Sequence, residues 1–366
     1  MKVCFVIPTL TSGGAERVAV TVLSALDGSR FERTLYLFTS EGAVYLDRVA
    51  PGVRVVVARK RGWVARMLEL SQFLHDNRPD VVMPFLSYFI TAIAAALSGG
   101  HGRVIFNQGT PTSGFLEDPD FPWRQPLRRQ LFAMLTRLFY QRADAVVVTS
   151  QGVADDLAIR YGVPRKQMVI LHNPIDVAAI TDAATRPIAT DVTAPIVAAA
   201  GRLAGVKNYP LLLEAIAQIE DAHVWILGDG PERDRLQRLA AELGIEHRVR
   251  FWGFQPEPWR YIARANVFVL TSTYEGFGNV LVEAMACGTP VVATTSPGTI
   301  EIIEHERNGL LVEASPTAVA AAITRLLVDG ELRGRLIADA RARVEHYSAA
   351  VVAQRYERLF EAVTSS

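Results

Sequence analysis

Short β-branched runs alternate with helix-patterned stretches along the whole chain, and this alternation limits the fold more than any other feature. The runs fall at 2–7, 33–38, 53–57, 80–83, 103–106 and 145–149, then again at 195–200, 223–227, 248–251, 266–270, 290–293 and 309–312. Between them lie segments with apolar residues three or four apart, such as 14–26, 209–219 and 232–243. Strands that alternate with helices form βαβ units, and their parallel sheets need helices on both faces to bury them. At 366 residues the chain is long for one domain and comfortable for two. Asn173-Pro174 opens a stretch rich in Ala, Thr, Asp and Pro that runs to 194, so the boundary is placed there. The expected organisation is an α/β domain over 1–174, a second over 175–346, and a final amphipathic helix within 347–366. Ligands of such sheets bind beyond the carboxyl ends of the strands. Two such domains facing one another would enclose a cleft, where chemistry is expected.

Cys4 and Cys287 are the only cysteines, too few for a disulfide framework or a cysteine zinc site, which fits a reducing cytoplasm. The opening MKVCFVIPTL stops at Pro8 without a small-residue cleavage site and reads as a first strand rather than a secretory leader. The apolar run 90–97 is far short of the roughly 20 residues a membrane-crossing helix needs. Net charge is zero, but the halves differ. Residues 1–175 hold 20 Lys and Arg against 14 Asp and Glu, and the remainder hold 18 against 24. Opposite polarity points to different partners for the two halves.

Four motifs carry candidate chemistry. Gly13-Gly14-Ala15-Glu16-Arg17 follows the first strand and opens a helix, where bare amides can approach an anion; a tight strand-to-helix turn is the plainer explanation. It lacks the GxGxxG spacing, which disfavours a nicotinamide enzyme. Gly201-Arg202-Leu203, with Lys207 and Asn208 close behind, sets two cations at a strand end. That arrangement suits a diphosphate, with the guanidinium binding in bidentate fashion and the ammonium acting as a point charge. Gly228-Asp229-Gly230-Pro231 lines a nucleotide pocket or simply turns the chain. In Glu275-Gly276-Phe277-Gly278-Asn279-Val280-Leu281-Val282-Glu283, two carboxylates bracket bare amides at a helix start. That combination can bracket a hydroxyl-rich ligand bearing phosphate; a helix cap plus one exposed glutamate is the plainer explanation.

EGFGNVLVEA, with its two glutamates eight positions apart, resembles the E-x7-E element of glycosyltransferase family 4 in the GT-B superfamily. GGAERV, AAGRL followed by KN, LGDGPE, PVVAT and HERNGLLV fall in the matching order, so the resemblance covers essentially the whole chain. It implies a GT-B fold, two Rossmann-like domains about an interdomain cleft, and sugar transfer with retained configuration. Arg202, Lys207 and Glu275 would be the catalytic residues, the two cations binding the donor diphosphate and stabilising the leaving group. Glu275 and the backbone of Phe277, Gly278 and Asn279 would hold the transferred sugar, and Glu283 the ribose hydroxyls. Gly201, Asn208, Gly228, Asp229, Phe254, Gly276 and Val280 complete the donor contacts expected in the second half. Gly13 and Gly14 would meet phosphate or acceptor from the first domain, and the last helix would cross back to it.

One departure stands out. Family members commonly carry a histidine after the strand that here ends at Phe106; this chain has Asn107-Gln108-Gly109, which makes Gln108 the expected sugar or acceptor contact. Glutamine bonds a hydroxyl but exchanges no proton near neutral pH. Asp118-Pro119-Asp120 imitates a metal-binding DxD but sits in a Pro- and Phe-rich loop and is read as coincidence. With Arg202 and Lys207 supplying positive charge, neither a metal nor a cofactor is expected.

Residues 121–143 join Arg124, Arg128, Arg129, Arg137 and Arg142 to Trp123, Phe132, Leu135 and Phe139. Such a helix suits an anionic lipid surface, each charge near it contributing about 1 kcal/mol, or is an ordinary core-facing helix with a solvated side. No nucleic-acid motif accompanies the charge.

The expected function is transfer of a hexose or N-acetylhexosamine from a nucleotide sugar to a lipid-linked or saccharide acceptor of surface-glycan synthesis. A UDP-sugar is favoured and GDP-mannose stands next. The expected location is the cytoplasm, peripheral to the membrane. No carboxylate nucleophile is evident, which favours same-face attack, with the departing phosphate taking the acceptor proton. A non-catalytic nucleotide-sugar-binding subunit and a nucleotide-sugar epimerase are the alternatives.

Overall fold

A computed structural model describes residues 1–365 apart from Ser12, residues 118–125 and Asp191; the side chains of 115–117 and 126–128 also lie outside the description. The chain divides into two compact units, Met1–Pro174 with Ala349–Ser366, and Ile175–Ser348.

Among the described residues the first unit holds seven strands, all parallel: β1 (Lys2–Ile7), β2 (Glu32–Leu37), β3 (Arg54–Val57), β4 (Val81–Pro84), β5 (Arg103–Gln108), β6 (Ala145–Val148) and β7 (Met168–Ile170). Their order across the sheet is β3-β2-β1-β4-β5-β6-β7. β1 is central, and Val3 to Ile7 are buried in sequence without alternation, as expected of a strand covered on both faces. One face is covered by the helices Gly14–Ala25 and Ala349–Thr364, which pack together over Phe5, Leu35 and Phe360. Trp63–Asn77, Tyr88–Leu97, Pro126–Tyr140 and Gln151–Tyr161 are further helices, with side chains in two separate cores. The helix Gln151–Tyr161 shows how the sequence sets element ends. Ser150 Oγ accepts from Val153 N–H at 3.2 Å, and Gly162 closes the helix at φ +64°.

The C-terminal helix is fixed to this unit by polar as well as apolar contacts. Buried Glu357 accepts from Asp27 N–H at 2.8 Å and from the Arg30 guanidinium at 2.9 Å, and Asn107 Nδ2 donates to the Tyr356 hydroxyl at 2.9 Å. Fully buried Phe360 adds roughly 2–3 kcal/mol.

The second unit repeats the plan with six parallel strands: β8 (Ile196–Ala200), β9 (His223–Leu227), β10 (Val249–Gly253), β11 (Val267–Leu270), β12 (Val291–Thr294) and β13 (Leu310–Val312). The order is β10-β9-β8-β11-β12-β13, so strand order reverses between β8 and β11. Loops leaving the carboxyl ends of those two strands lead to helices on opposite faces, and this reversal point is the usual ligand position in such sheets. Both units have the parallel, doubly wound α/β architecture expected from the sequence.

Candidate functional site

The loops leaving β8 and β11 carry the second unit's candidate residues. β8 ends in Ala200, and Gly201 follows at φ +148°, a conformation that favours glycine. A Cβ there would lie 3.2 Å from Lys207 Cε and 3.4 Å from the Tyr209 hydroxyl, so the loop folds tightly back on itself. Tyr209 donates to Gly201 O at 3.1 Å; burial, reinforced by the negative charge of Glu275, raises its pKa and keeps the proton on the hydroxyl. Asn208 turns the chain at φ +48° into the helix Tyr209–Ile216.

From the other side, Ser272 to Glu275 leave β11 and are tied to this loop. Thr273 N–H donates to Val206 O at 2.9 Å and Thr271 Oγ1 to Lys207 O at 3.0 Å. Two of the expected catalytic residues meet there. Lys207 Nζ lies 2.6 Å from Glu275 Oε1, and Ser272 Oγ donates to the same oxygen at 2.7 Å. The two side chains are 20% and 13% exposed, so the pair is neither dry nor freely solvated. Arg202 differs: it is exposed and makes no side-chain hydrogen bond or ion pair among the described residues. The two loops thus carry one exposed guanidinium without a side-chain partner among the described residues and one ammonium paired with a carboxylate.

Gly276, Phe277 and Gly278 lead into the helix Asn279–Ala286. Gly278 is its N-cap at φ +93°, and Phe277 is anchored by its ring 5.2 Å from that of Tyr347. Asn279 and Val280 begin the helix and are half-buried, where first-turn N–H groups face out of the N-terminus. Glu283, one turn on, is 2% exposed and accepts from the Trp259 indole N–H at 2.8 Å. Burial, then Glu283, pushes the nearby Cys287 thiol far above its usual range, which leaves it an inert thiol.

Gly228 and Asp229 turn out to brace the β8 loop. At φ +135°, a Cβ on Gly228 would sit 2.0 Å from Gly201 O, and one on Gly230 would sit 2.5 Å from Leu203 O. Leu203 N–H donates to Asp229 O at 3.0 Å. The Asp229 carboxylate folds onto its own helix, accepting from Gly230 N–H at 2.8 Å and pairing with Arg233 at 3.0 Å. Phe254 follows Gly253 (φ +69°) beyond β10 and leaves its ring 42% exposed.

In the first unit two expectations change. Gly13 caps the helix Gly14–Ala25, but it does not offer the bare anion site that was expected. The Glu16 carboxylate folds back over it, bonded to its own backbone and to Thr11, and a Cβ on Gly13 would lie 1.9 Å from Glu16 Oε2. The Glu16 side chain thus folds over the first turn of its own helix, and it places a carboxyl group where an anion would otherwise sit. Burial raises the pKa of Glu16. Gly14, the first residue of that helix, is exposed. Gln108 is likewise turned inward. It is 2% exposed; its Oε1 accepts from the Tyr140 hydroxyl at 2.5 Å and its Nε2 donates to Thr110 O at 2.5 Å. Each end of the amide has a partner inside the unit, so Gln108 buttresses the loop after β5.

The basic segment forms the helix Pro126–Tyr140; residues 121–125, and with them Trp123 and Arg124, lie outside the described residues, as do Asp118 and Asp120. Phe132 and Phe139 pack inward against Phe89. Leu131, Met134 and Leu138 point outward beside exposed Arg129, Arg137 and Arg142. Among the described residues no helix is long and apolar enough to cross a membrane, and no group of three or more His, Cys, Asp or Glu is arranged to hold a metal ion.

Four residues that shape these loops were missed in the sequence: Glu16, Trp259, Ser272 and Gly298. A Cβ on Gly298 would meet Glu275 O at 2.7 Å, so the turn after β12 packs directly behind Glu275. The Pro297-Gly298 dipeptide was the available signal. Nothing in the sequence pairs Trp259 with Glu283.

Comparison with known proteins follows the same division. Residues 12–179 match the family model described as Glycosyltransferase Family 4, and residues 181–343 the one described as Glycosyl transferases group 1. The chain is 29% identical, over 96% of its own length and 97% of the other's, to the Campylobacter jejuni N-acetylgalactosamine-N,N'-diacetylbacillosaminyl-diphospho-undecaprenol 4-alpha-N-acetylgalactosaminyltransferase. It is 35% identical to the lipopolysaccharide core biosynthesis glycosyltransferase LpsE of Rhizobium meliloti, across 55% of this chain and 59% of LpsE. Its fold superposes on Anabaena HepE in complex with UDP and glucose with a TM-score of 0.81, at 22% identity, covering 99% of this chain and all of HepE.

Proposed function

The chain belongs to the group 1 and family 4 glycosyltransferases of GT-B fold, and we propose that it moves a hexose or N-acetylhexosamine from a UDP-sugar to a lipid-linked saccharide with retention of configuration. It is a glycosyltransferase that uses a nucleotide sugar; donor, acceptor and mechanism are the proposal.

The observation that carries this reading is the pairing of Lys207 with Glu275 beside unpaired Arg202, at the point where strand order reverses. A donor diphosphate entering there meets a guanidinium that needs no prior release and an ammonium that exchanges one anion for another. As the glycosidic bond to the diphosphate lengthens, negative charge grows on the leaving oxygens and both cations bind it more strongly. Preorganised charge of this type is where most of the acceleration is expected, about 3 kcal/mol or more per group. Glu275, released from Lys207 but still held by Ser272, is placed to accept a hydroxyl of the transferred sugar. No metal takes part in this reading, because the two cations supply the charge. The acceptor hydroxyl attacks from the face the diphosphate leaves, and the phosphate oxygen takes its proton. Gly276 to Val280 and Glu283 hold sugar and ribose, and Phe254 lies against the base.

The Campylobacter relative, matched end to end, is named as a transferase of N-acetylgalactosamine onto an undecaprenol diphosphate-linked sugar, and HepE binds UDP and glucose. Both support a UDP-sugar and a polyprenyl-type acceptor here. The outward Leu131, Met134 and Leu138 between Arg129, Arg137 and Arg142 support docking on an anionic bilayer, where such an acceptor resides, at the cytoplasmic face. Thermal-shift screening with nucleotide sugars, followed by transfer to a lipid-linked acceptor with EDTA present, tests the proposal. Stabilisation by UDP-sugars and EDTA-resistant transfer support it; stabilisation by none of them, or loss of activity in EDTA, overturns it.

A further inference from the structure

We propose that Trp259 is a positioning residue: its indole N–H sets the Glu283 carboxylate for the ribose and locks the base-side loop after β10 to it. This rests on the reading of Glu283 as the ribose contact. Glu283 is almost wholly buried, so its position rather than its reach decides whether a ribose hydroxyl meets it. A buried carboxylate needs donors, and a charge-assisted bond of 2.8 Å from an indole, which can only donate, fixes one of its oxygens. That donor is itself firmly packed, since Trp259 is 3% exposed within the core under β8 and β11.

The same residue begins the helix Trp259–Ile262, five positions beyond exposed Phe254. The intervening turn is short and stiff: Gln255 Nε2 donates to Trp252 O at 2.8 Å, and Pro256 and Pro258 restrict the backbone. Two further bonds tie this helix to the segment after Asn279–Ala286, from Cys287 Sγ to Trp259 O at 3.7 Å and from Thr289 Oγ1 to Ile262 O at 2.8 Å. Those bonds do not involve the indole. Trp259→Phe therefore removes the donor to Glu283 while leaving the helix attached and most of the ring volume filled.

The test is a cycle between protein and ligand. Calorimetry measures binding of the tighter of UDP and GDP, and of its 2′-deoxy and 3′-deoxy analogues, to wild type and Trp259→Phe. Loss of the contacted hydroxyl is expected to weaken binding to wild type about tenfold, the scale of a hydrogen bond to a charged group, and to the variant less than threefold. If wild type does not discriminate between the analogues, the ribose reading of Glu283 fails and the proposal with it. If wild type and variant discriminate equally, that reading stands and Trp259 has no positioning role. A second readout leaves Trp259 unchanged. Its 15N-labelled indole N–H resonance is expected to move when the nucleotide is added and to move less with the deoxy analogue; equal movement, or none, overturns the proposal.

Discussion

Separating the two roles of the Lys207–Glu275 pair gives the most informative perturbation of the second unit. The structure places Nζ and Oε1 2.6 Å apart, with the two side chains 20% and 13% exposed. At an effective dielectric constant of about 20, two unit charges at that distance attract by roughly 6 kcal/mol before desolvation is subtracted. Much of this is offset by removing both groups from water, and a net coupling of about 1–3 kcal/mol remains for a contacting pair. Lys207→Met strands a partly buried carboxylate held only by Ser272, and Glu275→Gln strands the ammonium. Each single change is therefore expected to lower the unfolding free energy measured in urea by about 2 kcal/mol. The double change should restore much of that loss. Transfer activity should follow a different pattern, because both groups meet the donor. Each single variant loses at least about 100-fold in kcat, a leaving-group contact of about 3 kcal/mol, and the double variant recovers nothing. If activity recovered together with stability in the double variant, the pair would be a structural bridge and its assignment to the diphosphate and the sugar would be refuted.

Four other outcomes follow from the geometry. Gly228→Ala would place a methyl 2.0 Å from Gly201 O at φ +135°, and is expected to cost 3 kcal/mol or more in thermal unfolding. Tyr140→Phe leaves buried Gln108 Oε1 without its donor and should destabilise the first unit by about 1–2 kcal/mol. Because burial raises the pKa of Glu16, folding favours its protonated form more than the unfolded chain does, and wild type should lose stability relative to Glu16→Gln as pH rises above the ordinary carboxylate value of 4.5; unfolding of both proteins from pH 4 to 7 checks this. Replacing Arg129 and Arg137 by glutamate, or Leu131 and Met134 by serine, should each weaken sedimentation with anionic vesicles severalfold and leave neutral vesicles unaffected.

Strand positions were largely legible because parallel strands buried on both faces are written as continuous β-branched runs. β1, β8, β9 and β12 lie within a residue or two of their expected limits. β7 was missed: Met168–Ile170 is only three residues long at the sheet edge, and the apolar run Met168-Val169-Ile170-Leu171 that marks it was passed over. The meeting of Glu275 with Lys207, on the loop that also carries Arg202, was legible for a topological reason. Each follows a strand end, and β8 and β11 are neighbours whenever strand order reverses at the first strand of a doubly wound sheet. Side-chain direction was not legible. Nothing in GGAER says that Glu16 curls back onto Gly13, and nothing in FNQG says that Tyr140, 32 residues later, takes the Gln108 carbonyl. Those outcomes depend on tertiary neighbours, as does the choice between a glycine that faces ligand and one that admits another backbone, as Gly228 does.

The most direct measurement is calorimetric titration of UDP in EDTA into wild type, Arg202→Ala and Lys207→Ala, with unfolding of each protein measured in parallel. Metal-free binding to wild type that weakens about 100-fold in either folded variant is the expected result. Binding that requires a divalent cation, or that survives both substitutions, would contradict the account.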